Sequence, residues 1–166
     1  MFSTYLKISV VPVQRSIVQL SANLYLVLLL TACVDGLPTG VDLEHGRVTF
    51  ENYCSACHQV DGQGTEGGVP PLDESQWVSG PESRTIRIIL HGLWGEIQVL
   101  DKTYNREMPA FGPVLSNTDI ASLLSFVRQQ YGGSKPPISP ETVRQIRSLS
   151  GDRTNYWSVE ELLQFP

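Results

Sequence analysis

Two thiols and an imidazole fall within five residues, Cys54-Ser55-Ala56-Cys57-His58, inside the stretch ENYCSACHQVDGQG at positions 51–64. Three chemistries use a C-x-x-C pair: half of a zinc site, a thioredoxin-type dithiol, or the covalent attachment of c-type haem. A structural zinc site needs four protein ligands and a catalytic one three plus water, and thiolate sites usually bring a second Cys or His pair at short spacing. Here His45 and His91 stand alone and Cys33 lies far upstream. A redox dithiol places its first Cys at the start of a helix that follows a strand, where the helix end lowers the thiol pKa. In this chain the pair comes at the end of a helical pattern. Haem attachment uses all five positions: two thiols to add across vinyl groups, a helical turn to space them, and an adjacent imidazole to ligate iron.

The rest of the chain bounds that chemistry. With 166 residues, 41% hydrophobic and 17% charged, the composition is that of one globular domain with extensions. The first 32 residues carry Lys7 and Arg15, no acid, and then an apolar run from Leu24 to Leu30. That charge order reads as a secretory signal. The run is shorter than the about 20 apolar residues a bilayer span requires, and Pro12, Arg15, Gln19 and Asn23 interrupt any upstream extension; the alternative is an uncleaved membrane helix. Leu30-Thr31-Ala32-Cys33 resembles the lipobox of bacterial lipoproteins, in which the cysteine is acylated and becomes the new N-terminus. Cleavage before Cys33 would remove Lys7 and Arg15 and take the formal charge from −5 to −7. Nucleic acid is excluded as a partner by that sign, and an acidic carrier is steered toward positive surfaces.

The elements that must position the motif follow from periodicity. VDGLPTGV at 34–41 reads as a tether, with a domain starting near Asp42. Gly46, Phe50 and Cys54 at i, i+4 and i+8 share one helical face. GQGTEGGVPPL after the motif reads as coil wrapped around a cofactor. SGPESRTIRIILHG predicts a helix from a Ser79 cap to Gly92 as the stop, with Ile86, Ile89, Leu90 and then Leu93 at helical spacing on its apolar side. His91 at its end meets free carbonyls or, less simply, acts as a ligand. Glu96–Thr103 alternates and predicts a short hairpin. Met108-Pro109 then follows in a loop. Once Met1 is removed Met108 is the only thioether, and in a haem domain that lacks a sixth ligand it is the candidate, against the plainer reading of a core filler. LSNTDIASLLSFVRQQYGG predicts a helix with Ser116 and Asp119 as a capping box, Leu115 and Ile120 as a staple, and Gly132-Gly133 as the stop. It is the natural partner of the Gly46/Phe50 face.

These residues together give a family likeness. From about Leu43 to Tyr131 the chain resembles a class I monohaem cytochrome c domain, through G-x-x-x-F-x-x-x-C-x-x-C-H from Gly46 to His58, D-G-x-G at Asp61–Gly64, PPL at Pro70–Leu72, MPAFG from Met108, and the final helix. The resemblance implies an all-α fold with crossed first and last helices and a small hairpin. It implies one covalent haem c per chain, with thioethers at Cys54 and Cys57, His58 as proximal ligand and Met108 as distal ligand. Pro70, whose carbonyl would hold the other ring nitrogen of His58, and Leu72 would complete the cofactor-binding set. The stretch HGLWGEIQV through YNREMPAFG is similar to small cytochromes that serve periplasmic quinoprotein or copper enzymes, with Leu100-Asp101-Lys102 where such relatives commonly have an Asn-Gly turn.

Beyond Gly133 the resemblance stops. Pro140 to Leu149 reads as a helix with a Val143, Ile146, Leu149 stripe, and Ser158 with Glu161 as a capping box for a last turn, while Trp157, Leu162, Leu163 and Phe165 add apolar area. This extension either packs on its own domain or docks a partner enzyme. The chain therefore reads as a signal at 1–32, a tether at 33–41, a cytochrome domain at 42–132 and a helical extension at 133–166. The expected function is a lipid-anchored, exported monohaem carrier at the periplasmic or extracellular face, with dehydrogenases or reductases and an oxidase as partners and no catalysis of its own. The alternatives are a small-ligand-binding haem enzyme or sensor, or a fixed subunit of a redox complex.

Overall fold

The structure, a computed structural model, describes residues 36–165. The signal segment, Cys33 and the start of the tether lie outside them. Asp42 opens the first helix, α1 (Leu43–Tyr53), its carboxylate accepting the free N–H groups of Glu44 and His45. Cys54 closes α1 and begins the single turn α2 (Ser55–His58). The helix predicted from Ser79 is two helices, α3 (Gln76–Ser79) and α4 (Glu82–His91). Ser75, not Ser79, is a cap: its hydroxyl accepts from the Trp77 N–H, whereas the Ser79 hydroxyl bonds back to the Ser75 carbonyl. Pro81, with no N–H to leave unpaired, then starts α4 without a side-chain cap.

Strands β1 (Ile97–Val99) and β2 (Lys102–Tyr104) pair antiparallel, with Ile97 opposite Tyr104 and Val99 opposite Lys102. Leu100 and Asp101 are thus the whole turn, and Leu100 takes the left-handed conformation, φ 53°, that Asn or Gly supplies at lower cost. Next comes α5 (Asn117–Gln130), with the Ser116/Asp119 capping box formed in both directions. Ser139 caps α6 (Pro140–Ser150), which has Pro at its first turn, and Ser158 with Glu161 caps α7 (Val159–Leu162).

The α1 face of Gly46 and Phe50 lies on α5, at a distance only glycine allows: a Cβ on Gly46 would stand 2.1 Å from the Ser122 carbonyl oxygen. Phe50, Ile86, Ile120, Leu123 and Leu124 fill the resulting core, which Ile138, Val143 and Ile146 of the extension complete. Leu149 does not join them; it is 78% exposed. The spacing i, i+3, i+6 falls short of a full turn at each step, which leaves Leu149 about 120° around α6 from Val143. A second cluster gathers Ile88, Leu93, Ile97, Val99 and Tyr104 with Trp157 and Leu162 of the extension. Among the described residues no helix is long and apolar enough to cross a membrane.

Candidate functional site

The C-terminal turn of α1 runs straight into the C-x-x-C-H motif. Cys54 N–H donates to the Phe50 carbonyl at 2.8 Å, and His58 N–H to the Cys54 carbonyl at 2.9 Å. Cys54 is buried and Cys57 exposed, and the two thiols are not joined. Burial first, and the neighbouring Cys57 second, push the free Cys54 thiol up to about 12. A thioredoxin-type pair needs the opposite shift. Among the described residues no three His, Cys, Asp or Glu side chains gather as a metal-binding group, so no second pair joins the motif as a zinc site requires.

The loop after His58 is built to hold its ring. Gly64 N–H donates to the His58 carbonyl at 2.9 Å, Thr65 N–H to the Val69 carbonyl at 2.9 Å, and Leu72 N–H to the Gly62 carbonyl at 2.7 Å. Gly64 sits at φ 65°, where an added Cβ would meet the Val69 carbonyl oxygen at 2.3 Å and that of Pro70 at 2.7 Å. The Pro70 carbonyl so placed accepts from His58 Nδ1–H at 3.2 Å. Burial lowers the His58 pKa, and the Pro70 bond pulls only partly against it. The imidazole is accordingly neutral, protonated at Nδ1, and its Nε2 lone pair is available to a metal.

His58, Cys54, Pro70, Leu72 and Met108 all line one cleft, whose other walls are mostly apolar side chains of α1, α3, α4, β1 and α5 with Leu93, interrupted only by Ser75 and Thr85. A second opening shares Cys54, His58, Pro70 and Met108 and adds Cys57, Tyr53 and Phe111. Met108 is held by its backbone: its N–H donates to the Leu93 carbonyl and Leu93 N–H to the Met108 carbonyl, both at 3.0 Å. His91 and Lys102 line neither opening; His91 Nδ1–H donates to the Arg153 carbonyl at 3.0 Å.

These residues fit a covalently held haem. A flat, mostly apolar group needs an apolar cleft, two thiols at its rim, and one neutral nitrogen and one thioether among its walls. Five of the six sequence-predicted residues of the domain line this cleft and Cys57 lines the second opening; Cys33 lies outside the described residues. Two features escaped sequence reading. Leu93, which fixes Met108, reads in the sequence only as the next apolar position after Ile86, Ile89 and Leu90 at helical spacing, whereas its backbone bridges Met108. Tyr131, whose hydroxyl donates to the Val60 carbonyl at 3.0 Å and so ties the haem loop to the end of α5, lies just past the helix it follows.

Comparison with known proteins agrees. Residues 43–130 match the family model described as Cytochrome c. The chain is 33% identical over 104 residues to cytochrome c-552 of Thermus thermophilus, covering 57% of this chain and 79% of that protein. It is 29% identical over 113 residues to the fructose dehydrogenase cytochrome subunit of Gluconobacter japonicus, covering 62% of this chain and 22% of that one. It is 32% identical over 90 residues to the Cbb3-type cytochrome c oxidase subunit FixP of Azorhizobium caulinodans, covering 54% and 29% respectively. A helical domain with one small sheet, a C-x-x-C-H motif at an apolar cleft and a family match over half the sequence lead to one conclusion: the chain belongs to the cytochrome c family of electron-transfer proteins and carries covalently bound haem c.

Proposed function

We propose that this protein is a membrane-tethered, monohaem electron carrier in which Cys54 and Cys57 would hold the cofactor by thioethers and His58 and Met108 would ligate its iron. The observation that carries the reading is the convergence of Cys54, His58 and Met108 on one apolar cleft, with His58 Nδ1 tied to Pro70. Haem c, when bound, supplies a one-electron iron couple. The chain's own residues do the rest. The Pro70 carbonyl fixes the tautomer and orientation of His58 and raises its donor strength. Leu72 and the apolar walls exclude water. A thioether as second ligand raises the potential relative to two nitrogens, which suits a carrier between dehydrogenases or reductases and an oxidase. With His58 and Met108 both positioned to ligate the iron, haem bound here would leave no position for a substrate, so the task would be to hold and present the cofactor.

The close approach at Gly46 supports the crossing of α1 and α5 as in class I domains. Domain limits of 42–132 for the haem unit and 133–166 for the extension belong to the same reading, as do a signal at 1–32, a tether at 33–41, lipid attachment at Cys33 and a periplasmic or extracellular location.

Acid–organic extraction and carbon monoxide binding test it together. Haem should stay with the polypeptide on extraction and be released from the Cys54→Ala, Cys57→Ala double variant, and the reduced protein should not bind carbon monoxide at neutral pH. Rapid carbon monoxide binding would favour a ligand-binding enzyme or sensor. A second reading, a fixed subunit of a redox complex, is favoured by the names of the dehydrogenase and oxidase subunits among its relatives; co-elution with a larger complex from detergent extracts separates it from a free carrier.

A further inference from the structure

We propose that the C-terminal segment around Tyr156 and Trp157, outside the stretch matched by the family model, is the strap that keeps Met108 in place as the distal ligand. The inference rests on the Met108 reading above. Leu93 is the hub. On one edge it pairs antiparallel with Met108, and on the other it pairs parallel with Trp157. Trp157 N–H donates to the Gly92 carbonyl at 3.1 Å and Trp94 N–H to the Trp157 carbonyl at 3.0 Å. The backbone segment that fixes Met108 is therefore itself fixed from behind by the extension.

Side chains reinforce the same line. The Tyr156 hydroxyl donates to the carboxylate of Glu107, the residue before Met108. Gly92, at φ 75°, leaves no room between the two segments: a Cβ there would stand 2.5 Å from the Met108 carbonyl oxygen and 2.6 Å from the Tyr156 ring. Trp157 is buried, with Arg153 over its ring at 3.6 Å and Phe165 edge-on at 5.4 Å. Arg153 in turn pairs with Glu161 at 2.7 Å, and Leu162 is fully buried in the cluster against which Met108 packs.

A neutral thioether is a weak ligand that competes with any stronger donor reaching the iron, so its occupancy depends on how seldom the loop that carries it opens. Loops with few buried contacts open at low free-energy cost. The apparent affinity of an external ligand scales with the open fraction. Trp157 and Tyr156 act as positioning residues by keeping that fraction small.

The test uses ferric holoprotein of the full chain, with imidazole as the external ligand. The wild type should show the charge-transfer absorption of thioether-bound ferric haem and lose it in Met108→Ala. Trp157→Ala should bind imidazole about tenfold more tightly, by the scaling of apparent affinity with open fraction. Tyr156→Phe, which removes one partly exposed hydrogen bond, should do so about threefold. Both should weaken the absorption band by more than any change in the global unfolding midpoint explains. If Trp157→Ala does not fold, Trp157→Phe and Tyr156→Phe decide on the same readouts. Unchanged imidazole affinity and band in folded variants overturns the strap while leaving Met108 as ligand. A wild type whose band and ligand affinity do not respond to Met108→Ala overturns the Met108 reading, and the strap with it.

Discussion

Gly64 shows how one missing side chain sets the chemistry of another residue. Its Cα passes so close to the carbonyls of Val69 and Pro70 that any Cβ forces them to move, and the Pro70 carbonyl is what His58 Nδ1–H donates to. Gly64→Ala should thus cost about 1–3 kcal/mol in stability, from the left-handed backbone and the overlap. It should also raise the midpoint potential, because an imidazole that loses its acceptor is a poorer donor to ferric iron; potentiometry of the variant checks the direction. The motif residues Cys54, Cys57 and His58 were legible in the sequence because chemistry fixes their spacing within one turn. Met108 was legible because no other thioether follows Met1. The role of Leu93 was not, since its helical spacing after Leu90 marks it only as another apolar position and a backbone bridge leaves no mark on the side chain.

Helix ends and helix contacts follow local rules with a few overrides. The Ser116/Asp119, Ser139 and Ser158/Glu161 caps lie where their residue types place them. The Ser79 cap does not, because two serines four residues apart competed and only Ser75 precedes a turn that Pro81 does not cut short. At the α1–α5 contact, Gly46→Ala raises helix propensity yet drives a Cβ into the Ser122 carbonyl. The loss should exceed 2 kcal/mol, on the order of 10 °C in Tm, measurable by thermal denaturation. In the hairpin the sign reverses: Leu100→Gly should stabilise by up to about 1 kcal/mol, since it relieves a left-handed leucine whose side chain is half exposed. Acid sensitivity has a source at the same helix contact. The Ser116 side chain first, and His45 from α1 second, hold the Asp119 carboxyl below its usual range. A depressed pKa gives stability that is complete above the unfolded value near 4 and is lost as pH falls through the lower folded value. Asp119→Asn should flatten that acid limb in denaturation curves taken between about pH 5 and pH 2.

Charge and anchoring belong to the molecule as a whole. If Cys33 begins the mature chain, the formal charge of −7 before haem should make electron exchange faster with cationic than with anionic small oxidants. The two rates should converge as salt rises and the Debye length shrinks, and stopped-flow oxidation over a salt series measures this. Cys33→Ala should move the protein out of the membrane fraction and abolish fatty-acid labelling; labelling that persists would mean the acyl group is elsewhere. The extension was visible in the sequence as helices and apolar residues, but its attachment was not. Ile138, Val143 and Leu162 look like any amphipathic pattern, and only the fold shows that they complete two separate clusters.

The pairing of α1 with α5 joins positions far apart along the chain: Asp42 N–H donates to the Ser122 hydroxyl across 80 residues. Closing a loop of that length costs roughly 4 kcal/mol of chain entropy before any contact offsets it, and the contact cannot form before Ser122 is available to α1. If the chain is exported N-terminus first, as the proposed signal at 1–32 implies, α1 and the two thiols emerge well before Ser122 does. Cys54, which ends up buried, is therefore open to covalent attachment in the interval before the helices meet. On that reading the topology leaves a window for attachment, and an export-arrested polypeptide ending before α5 should still acquire covalent haem. A haem-free arrested chain, shown by peroxidase staining, would place attachment after folding instead.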